Sequence, residues 1–264
     1  MLEYKPLFNC LPSAEDLPDS DDIPVDDELQ DLIPGFLKAI LAWIWASRMD
    51  WFFGVDMGVY YDPDLPPVVP DGFLSLGVRR IVSENLRLSY LLWEEKVLPT
   101  MVLEVVSKKR RGEYTKKKDF YAELGILYYV IYNPIRPNKP PLDVYRLVNG
   151  EYVKHKGNPV WLEEIGLAIG YERGTHLGIT RDWLYWYDQQ GVRYLTPEEL
   201  ATTAEQRAST AEQRAKRLAE ELRSLGIDPD TLRAQRRKMR NYHLNQNFMS
   251  HLDRASGAHP TYFY

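Results

Sequence analysis

Three residues far apart in the chain carry side chains that would serve one reaction if the fold brought them together. Asp71 opens the segment PDGFLSLGV, Glu104 lies within the apolar run TMVLEVVS, and Lys117 sits on the basic stretch that follows. Two carboxylates supply oxygen ligands for a hard divalent cation, and an ammonium group beside a water offsets the charge that develops when that water attacks phosphorus. The chemistry such a set would serve is metal-assisted cleavage of a phosphodiester.

Each residue also has an ordinary structural explanation. Side chains alternate along a strand, so Val102, Glu104 and Val106 share one face of TMVLEVVS while Met101, Leu103 and Val105 share the other. Glu104 is then a carboxylate in a strand that otherwise reads as buried. An unpartnered carboxylate there costs on the order of several kcal/mol, which calls for a metal or an ion pair with Arg79, Arg80 or a nearby lysine. Asp71 suits a Pro-Asp-Gly turn. Lys117 falls at helical spacing with Tyr114 and Tyr121, beside Phe120, so it points inward if that face meets a sheet. Lys108, Lys109, Arg110 and Arg111, with Lys116 and Lys118, concentrate positive charge as a DNA backbone would require, although a solvated helix face looks the same.

The elements that must position these residues follow from hydrophobic period. Leu29, Leu32, Ile33, Phe36, Leu37, Ile40, Leu41 and Ile44 recur at three and four, which predicts an amphipathic helix ending near Arg48, with a bend or break at Pro34. Strands are predicted over Trp51 to Tyr61, Gly72 to Val78, Ser89 to Trp93 and Met101 to Val106. A helix follows over Arg111 to Leu124, capped by Gly125, and then a strand over Leu127 to Tyr132. Leu142 to Val148 and Glu151 to His155 flank Asn149-Gly150, the signature of a type I′ hairpin. The pattern is that of an α+β or α/β core with a mixed sheet.

This core is expected over residues 26–196, behind an acidic, mostly extended leader over 1–25. Beyond it, Ala201, Ala204, Ala208, Ala211, Ala215, Leu218, Leu222 and Leu225 alternate spacings of three and four, and TAEQRA occurs twice. This is a coiled-coil seam over 197–232, and an alanine-rich one buries little area per residue. A helix packing on its own domain would show a similar stripe. Residues 233–264 read as a basic tail without a sustained apolar period.

Composition narrows the function classes. With 264 residues and a hydrophobic fraction of 44%, the chain can bury one sizeable core. Its one cysteine, Cys10, forms no internal disulfide and no cysteine metal site, which fits a cytoplasmic setting. No secretory signal is read, and the most apolar helix candidate is far shorter than the ~20 residues that span a bilayer, so no membrane role is expected. Walker and dinucleotide glycine loops, the Gly-x-Ser-x-Gly elbow and His-Glu-x-x-His are all missing, which argues against zinc and nucleotide cofactors. The net charge of −5 opposes indiscriminate nucleic-acid binding, but the basic residues are clustered after Glu104.

The string PTMVLEVVSKKRRGEYTKKKDFYAELGILYYVIYNP, with PPVVPDGFLSLGV before it and LDVYRLVNGEYV after it, resembles the bacterial restriction-endonuclease-like family known as Uma-two, of the PD-(D/E)XK nuclease superfamily. The likeness covers roughly Asp22 to Leu200. It implies a restriction-endonuclease-like mixed sheet flanked by helices, with Asp71 and Glu104 holding magnesium (or manganese). Val106 stands where the superfamily pattern has lysine, and the resemblance places the amine on the next helix at Lys117, with Lys116 and Lys118 as alternates. The expected activity is magnesium-dependent DNA cleavage by a homodimer. The alternative is a non-catalytic module of the same fold that binds DNA or a protein and pairs through its coiled coil.

Overall fold

This computed structural model describes residues 11–18, 27–84, 86–108, 112–135 and 139–231. The expected leader falls largely, and the basic tail wholly, outside them. The described part of the leader makes a turn in which Ser13 donates to Asp16, and its Pro12 and Pro18 carbonyls accept from Trp93 and Tyr60. The chain divides into two compact units between Pro197 and Glu198.

Helix α1 (Glu28–Ile44) begins at Asp27, whose backbone is extended and whose side chain accepts the Leu29 amide at 3.0 Å. That cap, with Glu28 and Asp31 in the first turn, suits the positive end of the helix dipole. Its apolar stripe, Ile33, Phe36, Leu37, Ile40 and Leu41, is buried as the period predicts. The break expected at Pro34 does not occur. The proline cannot donate to the Gln30 carbonyl, but burial of the surrounding face keeps the helix continuous. It ends at Ile44, four residues before the predicted limit.

The strand predicted over 51–61 is two strands, β1 (Trp51–Val55) and β2 (Val59–Tyr60). Asp56 takes a left-handed φ of 46° between them and donates its amide to the Asp71 carbonyl at 3.2 Å. Next come β3 (Gly72–Leu76) and β4 (Tyr90–Leu91), which pairs parallel with β2. β4 runs straight into the single turn α2 (Leu92–Glu95), so the strand expected over 89–93 is shorter than predicted. After these come β5 (Met101–Val105), α3 (Lys116–Leu124), β6 (Tyr128–Tyr132), β7 (Leu142–Val148) and β8 (Glu151–His155). The β7–β8 turn has the positive φ values expected of Asn149 and Gly150, 52° and 87°. β9 (Val160–Leu162), β10 (Leu167–His176) and β11 (Ile179–Tyr187) form a separate antiparallel sheet that the sequence reading did not resolve.

The main sheet has the order β1-β3-β5-β6-β7-β8 and is mixed. β5 and β6 are parallel, and the other pairs are antiparallel. Parallel neighbours need a crossover, and α3 lies on it. Met101, Leu103 and Val105 face a core built with α1, β10 and β11, while Val102 and Val106 face a second core with Tyr121 and Leu124 of α3. The alternation read from the sequence thus holds along β5. It sends Glu104 toward α3.

Helix α4 (Pro197–Ser224) carries the predicted seam through Leu222 but ends before Leu225 and short of the predicted limit at 232, and within its own unit the seam is largely open to solvent, with Leu218 50% exposed. No helix among the described residues is long and apolar enough to cross a membrane.

Close packing on the sheet leaves no slack at Gly54, where an added Cβ would lie 2.2 Å from the Phe73 ring. Gly54→Ala is expected to destabilise the core unit by about 1–3 kcal/mol through forced repacking of that ring, read as a lower urea midpoint with unchanged m-value.

Candidate active site

Asp71 closes the turn before β3, and its carboxylate is tied on both sides. Oδ2 accepts the Val105 amide at 2.6 Å, and Oδ1 accepts the Gln30 side-chain amide of α1 at 3.2 Å. The first bond matters most for placement. The β3–β5 ladder runs from Leu74↔Met101 to Gly72↔Leu103, and the Asp71 side chain extends it by one bond to Val105, two residues further along β5. Asp71 is therefore more than a turn former, because it is fastened beside Glu104.

Glu104 is 1% exposed, in the middle of a strand buried on both faces. Its two oxygens are each held from α3: Oε2 accepts from Lys117 Nζ at 2.6 Å and Oε1 from the Tyr121 hydroxyl at 2.8 Å. Positions four apart share a helix face, so one turn of α3 clasps both oxygens of one carboxylate. The ion pair weighed for Glu104 in the sequence exists, and of the partners named there it is a nearby lysine, Lys117, and not Arg79 or Arg80. Lys117 also retains partial access to solvent, its side chain being 26% exposed.

Electrostatically the site carries two carboxylates against one ammonium. Burial, then the neighbouring Glu104 charge, pushes the Asp71 carboxyl up to about 8. Burial also raises Glu104, against the pull of Lys117 and Tyr121. Burial disfavours the Lys117 ammonium, but the charge and hydrogen bond of Glu104, with the charges of Asp71 and Glu113, together outweigh it and hold that amine above its ordinary value. The Tyr121 hydroxyl is held far above its own by burial and by Glu104, so it remains a donor. Both carboxyls are raised, so the pair favours uptake of a proton or a second cation.

The two carboxylates are hard oxygen donors of the kind that divalent cations take. No group of three or more His, Cys, Asp and Glu side chains able to hold a metal exists among the described residues. A hard cation held by so few protein oxygens would draw its other ligands from water or substrate.

Comparison with known proteins bears on this arrangement. Residues 23–173, more than half of the chain, match the family Uma2, described as "Putative restriction endonuclease". The chain belongs to the Uma2 family. Among solved structures, a crystal structure described as a "putative nuclease belonging to DUF820 from Anabaena variabilis ATCC 29413" matches with a TM-score of 0.40 and 14% identity, over 53% of this chain and 75% of that one. No curated protein matches the chain.

Within this Uma2 chain, Asp71, Glu104 and Lys117 meet at one place. Of the alternates for the amine, Lys116 is exposed and Lys118 lies over the Tyr145 ring at 4.4 Å, so neither takes the place of Lys117. Val106 is buried among the apolar side chains beneath α3. Lys108 is exposed beyond β5, while Lys109, Arg110 and Arg111 lie outside the described residues. Helix α3 starts at Lys116 and not at Arg111, which leaves Tyr114 in the turn before it and off the face it was expected to share.

Sequence reasoning missed Gln30, the Val105 amide and Glu113. Gln30 sits 41 residues from Asp71 with no local signal to join them. Glu113 is buried, its charge raises both Glu104 and Lys117, and its carbonyl accepts from Tyr129 at 2.8 Å. Tyr121 was legible as a neighbour of Lys117, but its role as donor to Glu104 was not.

The raised Asp71 carboxyl has a pH consequence with a definite sign. A folded value near 8 against an unfolded value near 3.8 means that the folded chain binds the extra proton between these limits. The stability linked to it is whole below about pH 4 and is lost as pH rises toward about 8. In chelator, the wild-type melting temperature is expected to fall between pH 5 and 8.5 relative to Asp71→Asn, which lacks this titration. Parallel melting curves for the two proteins would contradict the assignment.

Proposed function

We propose that this protein is a magnesium-dependent deoxyribonuclease whose reaction centre is Asp71, Glu104 and Lys117. The observation that carries the reading is the pair of buried carboxylates, Asp71 just before β3 and Glu104 on the adjacent β5, with the Lys117 ammonium bonded to Glu104. A divalent cation bound there would supply Lewis acidity toward a phosphoryl oxygen and a lower pKa for water.

The chain's own residues do the rest. Asp71 and Glu104 would hold the cation, Asp71 kept in position by Gln30 and the Val105 amide, and Glu104 by Tyr121. Lys117 stays protonated, and with its salt bridge on the solvent-accessible side of Glu104 it orients the attacking water and offsets charge on the phosphate. Lys108 and Lys116, both exposed, would hold the flanking backbone, together with Lys109, Arg110, Arg111 and Lys118.

Cleavage of duplex or branched DNA in magnesium is expected to fall by at least about a thousandfold in Asp71→Ala and Glu104→Ala, while Lys117→Ala should lower the rate with a smaller effect on magnesium affinity. Plasmid cleavage and calorimetric magnesium titration give the two readouts. Undiminished cleavage in either carboxylate variant removes the assignment. DNA binding without cleavage in any divalent metal would instead favour the non-catalytic module.

Two copies of the chain would pair through α4, whose Ala and Leu seam is open within its own unit. Double-strand cutting suits two centres related by a two-fold axis. Leu218→Glu with Leu222→Glu should shift the protein from dimer to monomer by light scattering coupled to size exclusion. A wild type that runs as a monomer at tens of micromolar contradicts this pairing.

A further inference from the structure

At the other end of β1 and β3 from Asp71 lies a cavity of about 530 Å³, bounded by α1, the start of β1 and the segment after β3. Trp51 and Phe52 in its wall pair with Leu76 and Ser75, so it stands roughly 15 Å along the sheet from Asp71, at ~3.4 Å per residue. This separates it from the carboxylate pair.

Its lining combines aromatic planes with positive charge. Trp45 and Trp51 meet edge to face at 5.6 Å, the Arg48 guanidinium covers Trp45 at 4.4 Å, and the Arg80 guanidinium covers Trp51 at 4.3 Å. Arg87 lies over Phe52 at 4.5 Å, and Lys38 reaches in from α1. No acidic side chain lines the cavity among the described residues. Arg48 and Arg87 are compensated by Asp50 and Glu95, but Lys38 and Arg80 have no carboxylate at ion-pair distance among those residues. Burial and then mutual repulsion lower both groups, Lys38 by Arg80 and Arg80 by Arg87. A rim of exposed apolar side chains, Met49, Ile81 and Leu86, completes the opening.

Cations over aromatic rings are common as bare surface packing. Here the packing leaves two cations crowded together, partly desolvated, beside indole rings and without an anion. A ligand relieving this must carry a compact negative charge and a flat apolar ring. We propose that the cavity binds a nucleotide unit, its phosphate on Lys38 and Arg80 and its base against the indole and guanidinium wall. The unit is either a free nucleotide or one residue of a single strand. The inference does not rest on the proposed nuclease reaction.

The test is titration of the full chain in EDTA with adenosine monophosphate and, separately, with a dye-labelled oligothymidylate, followed by tryptophan emission and by anisotropy. At least one probe should bind, and Arg80→Gln and Lys38→Met should each weaken it about tenfold or more, while Lys156→Met, an exposed lysine elsewhere, should not. Binding of the mononucleotide identifies a free ligand, and binding of the oligonucleotide alone identifies a strand. Binding of neither probe overturns the proposal, as does equal affinity in Arg80→Gln, Lys38→Met and wild type. Should both variants melt early, the wild type decides: a saturating probe must shield Lys38 from an amine-reactive ester by mass spectrometry, and unshielded labelling overturns the proposal.

Discussion

The hydrogen bond from the Val105 amide to Asp71 holds the candidate centre together. A buried backbone amide at the end of a ladder must find an acceptor, and here the side chain of the residue just before the neighbouring strand supplies it. The same bond fixes an aspartate within a few ångströms of the residue before Val105, which is Glu104. The carboxylates are thus brought together by backbone hydrogen bonding, against their own repulsion. What the repulsion leaves behind is a site that favours uptake of positive charge.

The surrounding structure serves that juxtaposition. Helix α1 covers one face of the sheet and lends Gln30, while α3 covers the other and lends Lys117 and Tyr121. Glu104 can remain in a strand with no exposed residue because both of its oxygens are occupied. Asp71 has amide donors and, among the described residues, no cation at ion-pair distance.

Much of this was legible in the residues, for reasons of period. The alternation of TMVLEVVS fixes which face Glu104 takes, and a spacing of four sets Lys117 and Tyr121 on one side of α3. The α1 stripe and the Asn-Gly hairpin were equally plain. Other features depend on tertiary contacts that leave no local trace. The Gln30–Asp71 bond spans α1 to β3, the division of residues 51–61 depends on a left-handed Asp56 anchored to Asp71, and Pro34 is tolerated because its neighbours are buried. The cationic cavity gathers α1, β1 and a post-strand segment that no single window of sequence joins.

A last consequence concerns where the ammonium is mounted. Strand residues are pinned by neighbours on both sides, whereas α3 is a nine-residue helix ended by a left-handed Gly125 and seated through Tyr121 and Leu124. Its amine is in register only while that short helix stays seated, and Val106 serves there as apolar filling. For the proposed centre, a substitution beneath α3 that never touches Asp71 or Glu104 would unseat the amine while leaving the sheet intact.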